Sequence, residues 1–477
     1  MTAANEMESE GSDGERPGQE LAWLDRPTRE LARLAWPIAV SMVSYSVMTL
    51  VDTLFVGRLG APSLAGVGLG GVAAFTLICF GFGLLRAVKV LTSQAVGAGR
   101  PYDLSAYLGA GLVAAGALGV AGLLIGQLVA ELLPALAASS EAGTHARTYL
   151  RIRALGTPFI LAYCALREHR YGLGDSRSPM WAAVSANAAN IVLDWLFIVQ
   201  LGLGVGGAAW ATLAAHAVEG TVLVLAQRRS GFGLARTGRR HLRALFAVGM
   251  PTGVQFLLEV GSFSILAGLL AALSAVEMAA HQIALAVMHL TFLPALAIAE
   301  AGSVLAGQAV GAGRDELVRA VSRRAMAVSG AYAVLCTVGL VGFARGIAES
   351  FADDLAVVAA TIPLLWVAAV FQIADAGGAV ARSVLRGTGD VTWPAIVGIT
   401  CAWLFLPGGT WLFGYRAGLG ALGGWIALCC EIVVGSAIFW WRLERGGWRF
   451  AATRSRARIA EEDAPPEPVA PGQAVLS

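Results

Sequence analysis

Charge is what this chain has least of. Only 14% of its 477 residues are Asp, Glu, Lys or Arg, against about 25% in a soluble domain, and Lys89 is the single lysine among 34 basic residues. Such a chain cannot cover a water-facing surface, and with 57% hydrophobic residues it reads as a polytopic membrane protein. Cysteine is sparse too. The six present (Cys79, Cys164, Cys336, Cys401, Cys429, Cys430) lie inside apolar runs without metal-ligand spacing, so they read as small packing residues and imply no zinc or redox chemistry. No Walker loop, HExxH motif or Gly-x-Ser-x-Gly elbow occurs, which leaves ATP hydrolysis and peptidase chemistry without a carrier. The first twenty residues hold no apolar core, so no cleavable signal peptide is expected and that tail is expected in the cytoplasm.

What the chain does have is long apolar runs. Twelve are long enough to cross a bilayer, at about 34–57, 64–95, 104–134, 150–172, 179–201, 205–227, 246–270, 275–308, 320–346, 357–386, 393–414 and 421–443. The 59 glycines suit helices that approach closely in lipid. The runs repeat. QAVGAGR occurs at 94–100 and at 308–314, an offset of 214 that also carries Pro37 onto Pro251. At offset 215, GLGD (172–175) with Pro179 falls on GTGD (387–390) with Pro394, and Trp210 falls on Trp425. Six helices repeated once keep the same orientation, so the expected fold is all-α, with twelve transmembrane helices in two pseudo-symmetric six-helix lobes arranged as parallel repeats. The expected organisation is a cytoplasmic tail (1–30), an amino-terminal lobe (31–228), a basic cytoplasmic linker (229–245), a carboxyl-terminal lobe (246–444) and a disordered cytoplasmic tail (445–477). With both termini in the cytoplasm, 26 basic residues are cytoplasmic, 6 external and 2 within a helix, as the positive-inside rule favours. The six arginines of 228–243 read as a linker near anionic headgroups, and no nucleic-acid partner is expected.

An acid at membrane depth costs roughly 2.5 kcal/mol or more, so such residues pair, face a wet cavity or move protons and ions. Asp52 is one, fifteen residues after Pro37, where the helix ladder lacks a donor and can bend. Asn190 and Asp194 lie one turn apart on the fifth run, and Thr212 adds a hydroxyl if the fifth and sixth runs form a hairpin. These groups offer oxygens to a hard cation or a shared site to a proton, with a purely structural tie as the alternative. The second half carries Glu259 and Asp375 instead. The offset maps Glu259 onto Tyr45 and Asp52 onto Leu266, so the scaffold repeats and its ionisable groups do not.

Over nearly its whole length the chain resembles a multidrug and toxin extrusion (MATE) transporter of the NorM-like or DinF-like branch. The resemblance rests on the order of Pro37 with VDTLFVGRLG, QAVGAG in both halves, NIVLD, GxxGAAxAT, PxxxxxxxE, AHQIAL (280–285) and QIAD. It implies a secondary antiporter at the inner (plasma) membrane, monomeric and without a cofactor or enzymatic activity. Such a protein exports amphipathic, cationic organic compounds or drugs in exchange for sodium ions or protons, by alternating access of two lobes. It further implies that Asp52, Asn190, Asp194 and Thr212 form a cation or proton site, sodium being one occupant. Glu259 and Asp375 would form a second site, and Pro37 with Pro251 would act as hinges. An aromatic one turn before Asp375, tyrosine in some relatives, is Phe371 here, so a hydroxyl ligand is missing while a ring face remains at the cleft.

Arg86 and Lys89 lie three apart on the second run, and the offset places Arg86 on Glu300, where the family pattern has small or apolar residues. An Arg86–Glu300 pair closing the cleft is one reading; snorkelling of both basic groups to an interface is the other. They also leave room for an anionic or zwitterionic substrate. Glu431 reads as a structural hydrogen bond, and His281 and Gln282 as polar packing. A lipid-linked precursor flippase would be favoured by fourteen helices, a membrane enzyme by a clustered catalytic motif, and a channel by flux without a counter-ion gradient.

Overall fold

Helices start where the sequence supplies caps and prolines, and every long apolar run but the one near 150–172 becomes one continuous helical element. The computed structural model describes residues 21 and 23–461. In chain order the helices are α1 (Pro27–Gly57), α2 (Ala61–Gly97), α3 (Pro101–Leu136), α4 (Ser140–Leu155), α5 (Thr157–Gly172), α6 (Arg177–Asp194) and α7 (Gly204–Gln227). After the linker come α8 (Arg239–Ala271), α9 (Ala275–Gly311), α10 (Asp315–Phe351), α11 (Leu355–Gly387), α12 (Thr392–Trp403), α13 (Gly420–Arg445) and α14 (Arg449–Glu461). Ser274 caps α9 by accepting from Glu277 N at 3.1 Å, and Asp354 caps α11 by accepting from Ala356 N at 2.8 Å. Among the described residues, 11 helical elements are long and apolar enough to cross a membrane. The twelfth is the run near 150–172, which the structure divides into α4 and α5 at Gly156, with Pro158 in the first turn of α5. Both pieces lie along α2, α3 and α7 and act as one bent element.

The repeat is visible in the backbone. Gly99 and Gly313 turn at φ +68° and +71°, Gly174 and Gly389 at +80° and +91°. A side chain is strained in that left-handed region, so the same turn needs glycine twice. The halves also exchange contacts symmetrically: α1 packs on α9, and its counterpart α8 packs on α2, the counterpart of α9. Where α2 and α9 meet, near the linker end, a Cβ on Gly97 would run into the Gln308 carbonyl and one on Gly311 into the Gln94 carbonyl. The repeated QAVGAG motif is therefore a seam between the halves, bare of side chains so that two backbones can touch.

Two expectations about the segments outside the lobes need correction. Residues from 445 onward are not all a disordered tail, because α14 docks against α9 with Trp448, Ala452, Ser455 and Ile459 buried along one face. The arginines between them hide that stripe from a composition reading. The basic linker is shorter than 229–245, since α8 already begins at Arg239 and Thr237 Oγ1 donates to Ala106 O on α3 at 3.1 Å. The first twenty residues lie outside the described residues. Leu21 and Trp23 are buried, so these two residues pack against the helices, and α1 already begins at Pro27.

Candidate cation sites and substrate cleft

The first half builds a compact oxygen-rich site. Asp194 is the last residue of α6, where the chain continues as a π-helix, Trp195–Gln200, with Leu201 N bonding Leu196 O at 2.9 Å. Such wide turns recur at functional sites because they re-aim the neighbouring side chains. Asn190 and Asp194 are fully buried, and Asp52 of α1 turns its carboxylate toward both of them. Both carboxylate oxygens of Asp194, both polar atoms of Asn190 and Oδ1 of Asp52 meet no hydrogen-bond partner among the described residues. Thr212 on α7 is buried and donates to Ala208 O at 2.9 Å, which leaves its oxygen able to accept. An unmet buried polar group costs about 1–3 kcal/mol, more if charged. A cluster of them held together is stable only when something shares it. Nearby, Asn187 donates to the Ser44 hydroxyl and ties α6 to α1.

Pro37 is buried in α1, and Ser41 Oγ donates to its carbonyl at 2.9 Å. Pro251 occupies the same place in α8 and is half-buried. Both helices run unbroken through their prolines.

The second half encloses a wider chamber of about 330 Å³ that Glu259, Asp375, Glu431, His289 and Arg382 all line. Glu259 accepts from Gln255 Nε2 at 2.7 Å and lies 3.4 Å from Arg382 Nη1. Glu431 is thus a member of this acidic wall and not a buried structural bond. A chamber of about 240 Å³ on the other side is lined by Tyr45, Tyr163, Arg167, Glu168, Tyr171 and Glu219 among others. Between them stands a charged partition. Arg86 Nη1 lies 3.0 Å from Glu300 Oε1, Lys89 Nζ holds the other carboxylate oxygen, and Arg86 stacks over Phe256 at 4.9 Å. Neither basic residue snorkels; Lys89 is 3% exposed.

Phe371 is not at the cleft. It is fully buried and stacks on Trp425, 6.3 Å between ring centres, while Trp425 Nε1 donates to His281 Nδ1 at 3.2 Å. The face of α11 that carries Phe371 points into the core, so no ring awaits a cation there. His281 belongs to the same core. The count of two basic residues within helices is also too low, because Arg167, Arg382 and Arg386 line the chambers. They lie near the ends of apolar runs, where an arginine and a loop look alike in sequence. No cluster of three or more His, Cys, Asp or Glu able to hold a metal occurs among the described residues.

A family model described as MatE matches residues 37–196 and again 251–411, one match in each half. A protein of Pseudomonas syringae pv. tomato named "Probable multidrug resistance protein NorM" is 30% identical, over 87% of this chain and 95% of its own length. The "Multidrug resistance protein NorM" of Burkholderia vietnamiensis is 29% identical, over 88% of this chain and 94% of its own. Among solved structures, an outward-facing multidrug resistance MATE family transporter aligns with a TM-score of 0.81 at 23% identity, covering 91% of this chain and 97% of that one. A eukaryotic MATE transporter aligns with a TM-score of 0.82 at 22% identity, covering 91% and 99%.

Proposed function

The chain belongs to the MatE family of multidrug-extruding membrane transporters, which are not enzymes, and from that premise we propose that it is a secondary antiporter exchanging amphipathic organic cations for sodium ions or protons. The observation that carries this reading is the Asp52–Asn190–Asp194 cluster with its unmet oxygens. Two facing carboxylates resist double ionisation, so the cluster holds either a shared proton or a cation with oxygen ligands. Occupancy draws α1 and α6 together, and α1, weakened where Pro37 lacks an N–H, passes the movement to α9 on which it packs. The carboxylates of the wider chamber, Glu259, Asp375 and Glu431, receive the cationic centre of the exported compound.

The cleft then alternates between sides. The linker end is the closed one in this reading, which the glycine seam and the contacts of Arg86 and Lys89 with Glu300 support. That end faces the cytoplasm in our reading, because the arginine-rich 228–243 segment lies there. The protein acts as a monomer in the inner membrane, each copy holding a complete cleft. Reconstituted vesicles test the mechanism, with sodium and proton gradients imposed separately and export of ethidium followed by fluorescence. One gradient alone should drive export, and Asp194→Asn should uncouple it. Export at the normal rate and gradient dependence in Asp194→Asn would refute the coupling site.

A further inference from the structure

Beneath the acidic wall of the wider chamber lies a smaller cavity of about 120 Å³, lined by Arg86, Arg382 and Arg386 with Glu259 as the one acid facing them. Arg86 is already engaged by Glu300, and Arg382 reaches Glu259 only at 3.4 Å. Arg386 differs from both. It is 7% exposed, pairs with no carboxylate among the described residues, donates from Nη2 to the neutral Gln255 Oε1 at 2.8 Å, and its Nε meets no acceptor. Counting Lys89, four cationic side chains meet four carboxylates here, Glu259 and Glu300 at the floor and Asp375 and Glu431 in the chamber that Arg382 also lines. The carbonyl end of α11, one residue away, supplies only about half a negative charge. Of the four cations, Arg386 alone lacks a carboxylate contact among the described residues, and a buried cation with an unmet donor is among the costliest things a protein can hold. The guanidinium planes present forked donors that suit a planar or tetrahedral oxyanion.

We propose that this floor is an anion subsite, in which Arg386, with Arg382 and Arg86, binds a carboxylate or phosphate group carried by the exported amphiphile. The cavity shares Phe256, Glu259, Phe292, Ala379 and Arg382 with the acidic chamber above it, so the two adjoin. A compound bearing both charges spans them, with its cationic centre beside Asp375 and Glu431 and its anionic group on the floor. This deepens the export reading and rests on it, since it names the substrate class of the same cleft.

The test uses the full-length protein in neutral detergent and two dyes that differ in one group, a rhodamine with its free carboxylate and the methyl ester of the same rhodamine. Fluorescence anisotropy should show the free acid binding about tenfold more tightly than the ester, as expected for one charge-assisted contact. Arg386→Gln should erase that difference while leaving ester binding unchanged, which also shows that the variant is folded. Arg382→Gln should reduce the difference by a smaller factor. Equal binding of both dyes by the unmodified protein, or a difference that survives Arg386→Gln, overturns the subsite and leaves the export reading standing. Binding of neither dye overturns the export reading with it. Displacement of the free acid by phosphatidylglycerol at comparable concentration overturns the assignment to an exported solute in favour of a lipid headgroup.

Discussion

The two halves share a backbone and part ways in their polar chemistry. Gly99 and Gly313, or Gly174 and Gly389, make the same turns at equivalent places, yet Leu266, fully buried, stands where the second half would need its own Asp52. The first half keeps acids and an amide in a tight cluster with unmet oxygens. The second half spreads its acids around an open chamber and puts arginines under them. Turns and helix contacts are hard to vary independently because each supports the next. Polar groups that cost free energy can be kept in one copy and lost from the other, so the asymmetry marks where each half does different work.

The sharpest way to break this comparison is to neutralise one acid in each half. Asp194→Asn should lower gradient-driven export on the order of a hundredfold, and Asp375→Asn about fivefold, both within the range of coupling free energies; equal losses in the vesicle assay would mean that the halves share coupling. Next in size is the partition between them. Glu300→Gln leaves Arg86 and Lys89 without their carboxylate, at a cost of about 3–5 kcal/mol for a broken buried pair, and should expose the linker-end seam to a thiol reagent at an introduced cysteine. Exchanging the charges as Arg86→Glu with Glu300→Arg should recover part of the protection that either change alone removes.

The seam itself should respond symmetrically, unlike the acids. Gly97→Ala and Gly311→Ala each push a methyl group into the opposing carbonyl, costing ~1–3 kcal/mol as overpacking, and should slow export by similar factors in the same assay. The smallest effect on transport is expected from Phe371→Leu. Its ring lies in the core beside Trp425, so thermal unfolding should report a loss of about 1–2 kcal/mol while export per folded molecule stays within about twofold.

Much of the fold was legible because it depends on averages. Apolar runs longer than a bilayer stand out whatever their detailed order, and a motif such as QAVGAGR recurring at fixed offset announces the duplication. The parallel repeat also explains why positions 86 and 300 face each other, since residues related by the offset meet near the axis between the halves. Side-chain direction was less legible. Phe371 and Asp375 are one turn apart on α11, yet one points into the core and the other into the chamber. On α11 the polar residues Asp375, Arg382 and Arg386 share one stripe at spacings of seven and four, and Phe371 falls at the edge of that stripe, so spacing alone places the ring on the chamber side. Arg382 and Arg386 escaped notice for a related reason: an arginine four residues from the next, at the end of an apolar run, is the ordinary mark of a membrane boundary. Only the burial of Arg386 shows that its side chain faces the protein interior.

The chain ends are stitched to the seam. Arg458 of α14 donates to Gln94 Oε1 at 3.0 Å, and Trp23, ahead of α1, donates to Gln308 Oε1 at 2.8 Å, so each of the two motif glutamines is held from outside the repeat. Trimming the protein after residue 448 removes one of these stitches, and a bulky fusion at that position would wedge the other lobe away. Shortened or tagged versions are therefore expected to loosen the linker-end seam, and an affinity tag meant to be silent belongs well beyond residue 461.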